Sequence, residues 1–224
     1  MEIITLPGEI IAAFEQMDTP GVSDAMDRLG IPCALFNIKP IVPGTKLCGQ
    51  AFTVHYTACG QMKGTVGDFL DDVQPGQVVV IDNGGRLDCT VWGDIMSICA
   101  AKKGIAGTVI DGVCRDLPVI RRLGYPVFSK GYYMSTGKDR VYVDRINAPV
   151  TVSGLQILPG DLLLADDSGA VVIPRARATE ILKTATEIAR IEDQIVAQIQ
   201  AGCPLKKARA KLGYHTLQTR AEER

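Results

Sequence analysis

The sequence predicts an α/β fold, and three observations carry that expectation. Strand-like and helix-like segments alternate: QVVVIDN (77–83), WGDIMSICAAKKG (92–104), GTVIDG (107–112), DLPVIRRLG (116–124) and PVFSKG (126–131). The strands are near-continuous Val/Ile runs, the signature of strands covered on both faces, so the βαβαβ unit is expected to be parallel. After it come short strands separated by turns (PVTVSG, DLLLAD, AVVIP), expected to be antiparallel, and then a long helix.

In chain order, Glu9 to Met17 places Ile10, Ile11, Phe14 and Met17 on one side of a helix. Thr19-Pro20 supplies an N-cap with Pro at the first helical position, and Gly30 stops that second helix. Residues 31–50, rich in Pro and Gly without periodicity, read as an extended connector, and AFTVHYTA (51–58) as a strand. QPGQVVVID (74–82) and LPGDLLLAD (158–166) share a turn-then-strand form that suits two related hairpins in a barrel-like core. From about Ala176 to Ala201, Ile181, Ile188 and Ile195 recur every seven residues, a stripe that must lie on something, and a neighbouring subunit suits it. PLKKARAKLGYHTLQTR is basic and amphipathic, a solvated or subunit-contacting helix.

The chain has 224 residues, 46% apolar and 22% charged, within the range of globular proteins, with 24 basic against 25 acidic side chains. A net charge of -1 gives no footprint for nucleic acid or an anionic membrane. No apolar run is long enough to span a bilayer. The start, MEIITLPGEI, lacks a basic n-region, so no signal peptide is expected and the chain reads as cytoplasmic. Seven scattered cysteines without a C-x-x-C pair read as free thiols, mostly buried.

Phosphate-binding and nucleophile-elbow glycine motifs are absent, so no nucleotide cofactor is expected. His55 and His215 are the only histidines. His55 and Cys59 share a strand face, but no third group is evident to orient a Cys–His pair. The informative residues are carboxylates. Asp82 and Asp111 end adjacent strands, Arg115-Asp116 follow the second, and Gly93-Asp94 open the intervening helix. In open α/β units ligands gather at such strand ends. Hard carboxylate oxygens suit Mg²⁺ or Mn²⁺ better than zinc, and an Arg fork beside helix N-termini suits a carboxylate substrate. The blander roles stay open: Asp116 as a helix cap, Asp94 as a first-turn charge, Arg115 as its surface partner.

At these residues the chain resembles a known family. WGDIMSICAAKKGIAGTVIDGVCRDLPVIRRLGYPVF looks like the core of the RraA-like family (regulator of ribonuclease activity A), which includes class II 4-hydroxy-4-methyl-2-oxoglutarate and 4-carboxy-4-hydroxy-2-oxoadipate aldolases. The aldolase branch carries D-x20-R-D, matched by Asp94, Arg115 and Asp116, and the resemblance extends from GVSDAMDRLG to LLLADDSGAVVIP. It implies one family domain over 1–224, with a C-terminal helical extension over about 174–224. It also implies a barrel-like central sheet akin to a phosphohistidine-domain swivel fold, and trimers or hexamers with sites between subunits.

Carried over by position, the resemblance makes Asp116 the ligand of a divalent metal, Mg²⁺ or Mn²⁺. It places Arg115 on the keto oxygen, the backbone of Gly93, Asp94, Ile95 and Met96 on the substrate carboxylate, and Asp94 on a water for proton transfer. The implied substrate is a small 2-oxo acid, cleaved to pyruvate, and oxaloacetate decarboxylation would share the same enolate. Val119 stands where relatives often carry an acid. Glu187 or Glu192 are candidates for an acid that a neighbouring subunit lends. A Schiff-base route would need a desolvated lysine, and neither Lys102, Lys103 nor Lys130 is placed for burial by the sequence. The alternatives are a non-catalytic regulator of a ribonuclease-type partner, which has no need of the triad, and a quinone-precursor methyltransferase, for which no nucleotide loop is present.

Overall fold

Val78 and Val80 turn to one side of their strand and Val79 and Ile81 to the other, and both sides are fully buried. That double burial is what the continuous apolar runs specify, and it organises the chain. The computed structural model describes residues 5–219. Residues 1–4, on which the reading of the N-terminus rests, and Arg220 of the basic segment lie outside the described residues.

The elements are α1 (Gly8–Glu15), α2 (Thr19–Arg28), β1 (Lys39–Pro40), β2 (Leu47–Ala58), β3 (Val78–Thr90), α3 (Asp94–Lys103), β4 (Gly107–Cys114), α4 (Leu117–Leu123), β5 (Val127–Tyr132), β6 (Val141–Ile146), β7 (Val150–Val152), β8 (Leu155–Ile157), β9 (Leu162–Asp166), β10 (Gly169–Ile173), α5 (Ala178–Gln200) and α6 (Leu205–Lys211). The main sheet runs β1-β5-β4-β3-β2-β9-β10, with β6 also on β2. Strands β2 to β5 are parallel, as expected of the βαβαβ unit. β6 and β9 share the long β2 from opposite ends, both antiparallel.

The segment read as a plain connector closes the sheet. The Leu35 amide donates to Ala170 O at 2.9 Å and Val172 N to Cys33 O at 3.0 Å, while Lys39 pairs with Ser129 on β5. Residues 33–41 thus bridge the two edge strands and make the barrel-like core, which leaves fewer strand edges unpaired. Leu47, Val78, Val80, Val109, Phe128 and Leu163 fill it, plugged by Val150, Val152 and Ile157 of the β7–β8 hairpin. Outside, α3 and α4 bring Ala100 and Ile120 onto Val79, Ile81 and Ile110. Over β9 and β10, α1, α2 and α5 pack Phe14, Met26, Ile181 and Ile188 onto Leu162, Leu164 and Val171, so the long helix lies on its own chain through its Ile stripe.

Three local expectations are corrected. Asp18, not Thr19, caps α2, accepting from Gly21 N at 2.9 Å, because the Thr19 hydroxyl is used on Asp166 at 2.7 Å. β2 begins at Leu47, inside the Pro/Gly-rich stretch, and β6 forms where no strand was expected. Both depend on partners distant in sequence, which a local pattern does not display. All seven cysteines are free, with Cys33, Cys89 and Cys114 buried and the other four partly exposed.

Candidate active site

Two strand-to-helix turns, β3 to α3 and β4 to α4, lie side by side and build the site. Trp92 anchors the first: buried against Tyr125 at 6.1 Å between ring centres, it donates through Nε1 to Ser97 Oγ at 2.8 Å. Ser97 Oγ in turn donates to Gly93 O at 2.8 Å, which fixes the turn presenting Gly93, Asp94, Ile95 and Met96. The second turn is tied to the first by Arg115 N, which donates to Trp92 O at 3.0 Å.

Asp116 precedes α4 with φ at 62°, left-handed backbone that a non-glycine residue seldom adopts. Its side chain makes no cap to α4. Instead Oδ2 accepts from Asp94 N at 3.2 Å and stands 3.3 Å from Arg115 Nε. Gly93 makes this possible, since a Cβ there would lie 2.5 Å from Asp116 Oδ2. Asp94 Oδ1 accepts from Ile95 N at 2.7 Å, so two amides at the start of α3 already meet carboxylates. The side chains of Arg115 and Asp116 remain 41% and 33% exposed, open to a ligand.

Gly93, Asp94, Ile95, Met96 and Arg115 share one cleft of about 420 Å³, closed on its other sides by Gly64–Asp68 and by Thr136 and Lys138. On the far side of Arg115 a second hollow of about 440 Å³ is lined by Asp116, Leu117, Tyr132, Tyr133 and Met134. Nothing in the sequence pattern singled out Thr65, Asp68, Thr136 or Lys138, because they sit on loops and on one short 3-10 turn without periodicity. Their only signals are the flanking glycines of GQMKGTVGD and STGKD.

Among the described residues no group of three or more His, Cys, Asp or Glu is placed to hold a metal. Asp116 offers a single carboxylate whose Oδ2 is engaged while Oδ1 accepts no hydrogen bond among the described residues. That donor set fits a hard cation whose remaining ligands are water and substrate oxygens, and it does not fit a structural zinc. Cys114, next to Arg115, is fully buried, and burial pushes its thiol up to about 11, away from the thiolate form.

Other sequence candidates lie elsewhere. Asp82 and Asp111 do not join the cleft. Asp82 accepts from Gly84 N at 3.0 Å and Thr151 N at 3.1 Å, and Asp111 meets Lys130 Nζ at 2.5 Å. Lys130, which the sequence does not place for burial, lies on β5 beside β4, and its side chain is only 20% exposed. His55 does have an orienting group, Asp144 Oδ1 at 2.5 Å from Nδ1, contributed by β6. Val119 donates its amide to Asp116 O at 3.0 Å. Glu187 pairs with Arg28 of its own chain at 3.2 Å. Glu192 has its carboxyl pushed up by burial and then by the neighbouring charges of Asp24, Asp18 and Asp193. Neither acid lines the cleft.

The chain is similar to several known proteins. DlpA of Legionella pneumophila is 41% identical over 197 residues, covering 86% of this chain but only 32% of DlpA, so the chain spans about a third of that relative. A Halalkalibacterium halodurans protein named "Putative 4-hydroxy-4-methyl-2-oxoglutarate aldolase" is 33% identical over 79% of this chain and 82% of its own length. Among solved structures, an uncharacterized Pseudomonas syringae protein superposes with a TM-score of 0.87 at 40% identity, over 92% of this chain and 99% of that one. Streptomyces coelicolor RraAS2, described as an unusual member of the RNase ES inhibitor RraA protein family, gives 0.79 at 30% identity, over 85% of this chain and 96% of that one. The RraA-like family (Aldolase/RraA) matches residues 19–172, and the chain belongs to it.

Proposed function

We propose that the chain is a divalent-metal-dependent lyase. It cleaves 2-oxo acids of the 4-hydroxy-4-methyl-2-oxoglutarate type to pyruvate and decarboxylates oxaloacetate through the same enolate. The observation that carries this reading is the meeting of the Arg115 guanidinium, the Asp116 carboxylate and the first amides of α3, where Arg115 stands between two adjoining hollows.

The amides of Ile95 and Met96 receive the substrate's C1 carboxylate once Asp94 swings off Ile95 N, where its own carboxylate now stands in for that ligand. Arg115 then faces the 2-keto oxygen, and its fixed positive charge stabilises the oxyanion that develops there. The freed Asp94 orients a water that takes the proton of the 4-hydroxyl. The C3–C4 bond breaks, its electron pair passes to the pyruvate enolate, and C4 becomes a carbonyl. Reprotonation at C3 completes pyruvate. With oxaloacetate the same bond breaks and CO₂ leaves. Asp116, through its open Oδ1, would hold Mg²⁺ or Mn²⁺, which supplies Lewis-acid polarisation of the substrate oxygens. Exposed Ile95, Tyr132, Tyr133 and Met134 beside the site support assembly as a trimer or hexamer that covers them.

The test is pyruvate release from oxaloacetate and from 4-hydroxy-4-methyl-2-oxoglutarate, with Mg²⁺ or Mn²⁺ and with EDTA. Turnover is expected with metal, and loss of at least ~100-fold in Arg115→Ala. Turnover insensitive to EDTA and to Arg115→Ala would overturn the assignment.

A further inference from the structure

We propose that Lys138 is a specificity residue that binds a second carboxylate at the far end of the substrate. The inference rests on the lyase reading for the near end of the cleft. Arg115 and Lys138 are the two cations that line it. Arg115 is already engaged by Asp116 at 3.3 Å, whereas Lys138 forms no salt bridge among the described residues. The adjacent acid, Asp139, would be its natural partner, but Lys63 holds Asp139 Oδ1 at 3.0 Å, and Lys138 acts on that carboxylate only through space. Lys63 directly precedes the Gly64–Asp68 wall, so the contact at Asp139 Oδ1 is taken from that side and the Lys138 ammonium keeps no salt-bridge partner among the described residues.

The turn that carries Lys138 is pinned. Thr90 N donates to Ser135 O at 2.9 Å, Lys138 N to Thr136 Oγ1 at 3.2 Å, and Arg140 N to Gly137 O at 2.8 Å. Gly137 packs so closely on β3 that a Cβ would lie 2.5 Å from Thr90 O. The backbone from which the exposed Lys138 stem projects is thus set before the ligand arrives, so binding orders the side chain alone. A substrate anchored by C1 at the start of α3 and extended away from it meets that cation. The far carboxylate keeps its charge throughout an aldol cleavage, so Lys138 acts on ground state and transition state alike and belongs to KM, not kcat.

The experiment uses two non-cleavable 2-oxo acids of equal length, 2-oxoglutarate and 2-oxopentanoate, which differ by a carboxylate against a methyl. Binding is measured by calorimetry in Mg²⁺ for the parent, Lys138→Ala and Lys138→Arg. The parent is expected to prefer 2-oxoglutarate by ~10-fold or more, Lys138→Ala to lose that preference without weakening 2-oxopentanoate, and Lys138→Arg to keep most of it. Equal affinity of the parent for both acids, or equal weakening of both in Lys138→Ala, would overturn the proposal. Turnover separates the two readings. A parent that fails to release pyruvate yet shows the binding preference refutes the lyase and leaves the subsite standing.

Discussion

Adding one methyl group, Gly93→Ala, tests the site at its tightest point. The backbone at Gly93 is extended (φ -153°), so alanine adopts it without strain and the consequence is purely one of space. The new Cβ would lie 2.5 Å from Asp116 Oδ2 and 3.4 Å from Arg115 Cγ and Nε. Relief of the carboxylate clash requires a shift of ~1 Å to reach ordinary contact. Asp116 cannot make that shift and keep both Asp94 N at 3.2 Å and Arg115 Nε at 3.3 Å. A displacement of this size in a reacting constellation costs ~100-fold in rate. The fold has little at stake: alanine caps a helix less well than glycine, while the lost chain entropy of the unfolded state works the other way, so the net change is within ~1 kcal/mol. The assays are kcat/KM for pyruvate release, Mg²⁺ affinity by calorimetry and the urea midpoint. A variant that keeps turnover and metal affinity within a few-fold of the parent would show that the Gly93–Asp116 approach has no role in the chemistry.

Two further expectations concern the frame beneath the site. Lys130→Met leaves Asp111, whose side chain is 8% exposed, without its cation, and is expected to cost ~3 kcal/mol in urea unfolding; Lys130→Met combined with Asp111→Asn is expected to recover most of it. Equal loss in the single and double variants would show that packing of the lysine stem matters and the pair does not. Burial raises the Cys48 thiol from 9.0 to about 12, with the charge of Glu15 adding to it, and raises Cys114 to about 11. Because the folded chain then binds more protons than the unfolded one from pH 9 upward, stability is present below that point and falls as pH rises through the folded values. Urea midpoints between pH 8 and 11 are expected to decline, and less steeply in Cys48→Ala; an identical slope would remove Cys48 from the account.

Much of the site was legible because its signals are local. Gly93-Asp94 after one apolar run and Arg115-Asp116 after the next mark two strand-to-helix turns, and parallel pairing of those strands brings the turns together whatever the rest of the chain does. What stayed hidden depends on residues distant in sequence. The closing role of 33–41 needs β10, which follows more than 120 residues later. The sequestering of Asp82 needs Thr151, and that of Asp111 needs Lys130 on the neighbouring β5. The loop wall with Thr136 and Lys138 has no period to read, and its place is set by a glycine pressed on β3. Local pattern therefore placed Asp82 and Asp111 at the cleft, where they do not lie, and passed over Asp68 and Lys138, which line it.

With Asp82 and Asp111 withdrawn into internal contacts, Asp116 remains beside Arg115, held in left-handed backbone that costs of order 1 kcal/mol for a residue other than glycine. A helix cap would recover some of that cost, but the side chain turns away from α4 toward Asp94 N and Arg115. Gly93 is matched to that choice, because any larger residue would fill the space Oδ2 occupies. A chain selected only as a binding surface for another protein gains nothing from an aspartate on strained backbone, uncapping its helix and pressed behind a glycine beside a cleft. A chain that must present one carboxylate oxygen beside a guanidinium to a small anion gains the geometry on which its chemistry depends, and on that ground the lyase reading stands ahead of the regulator.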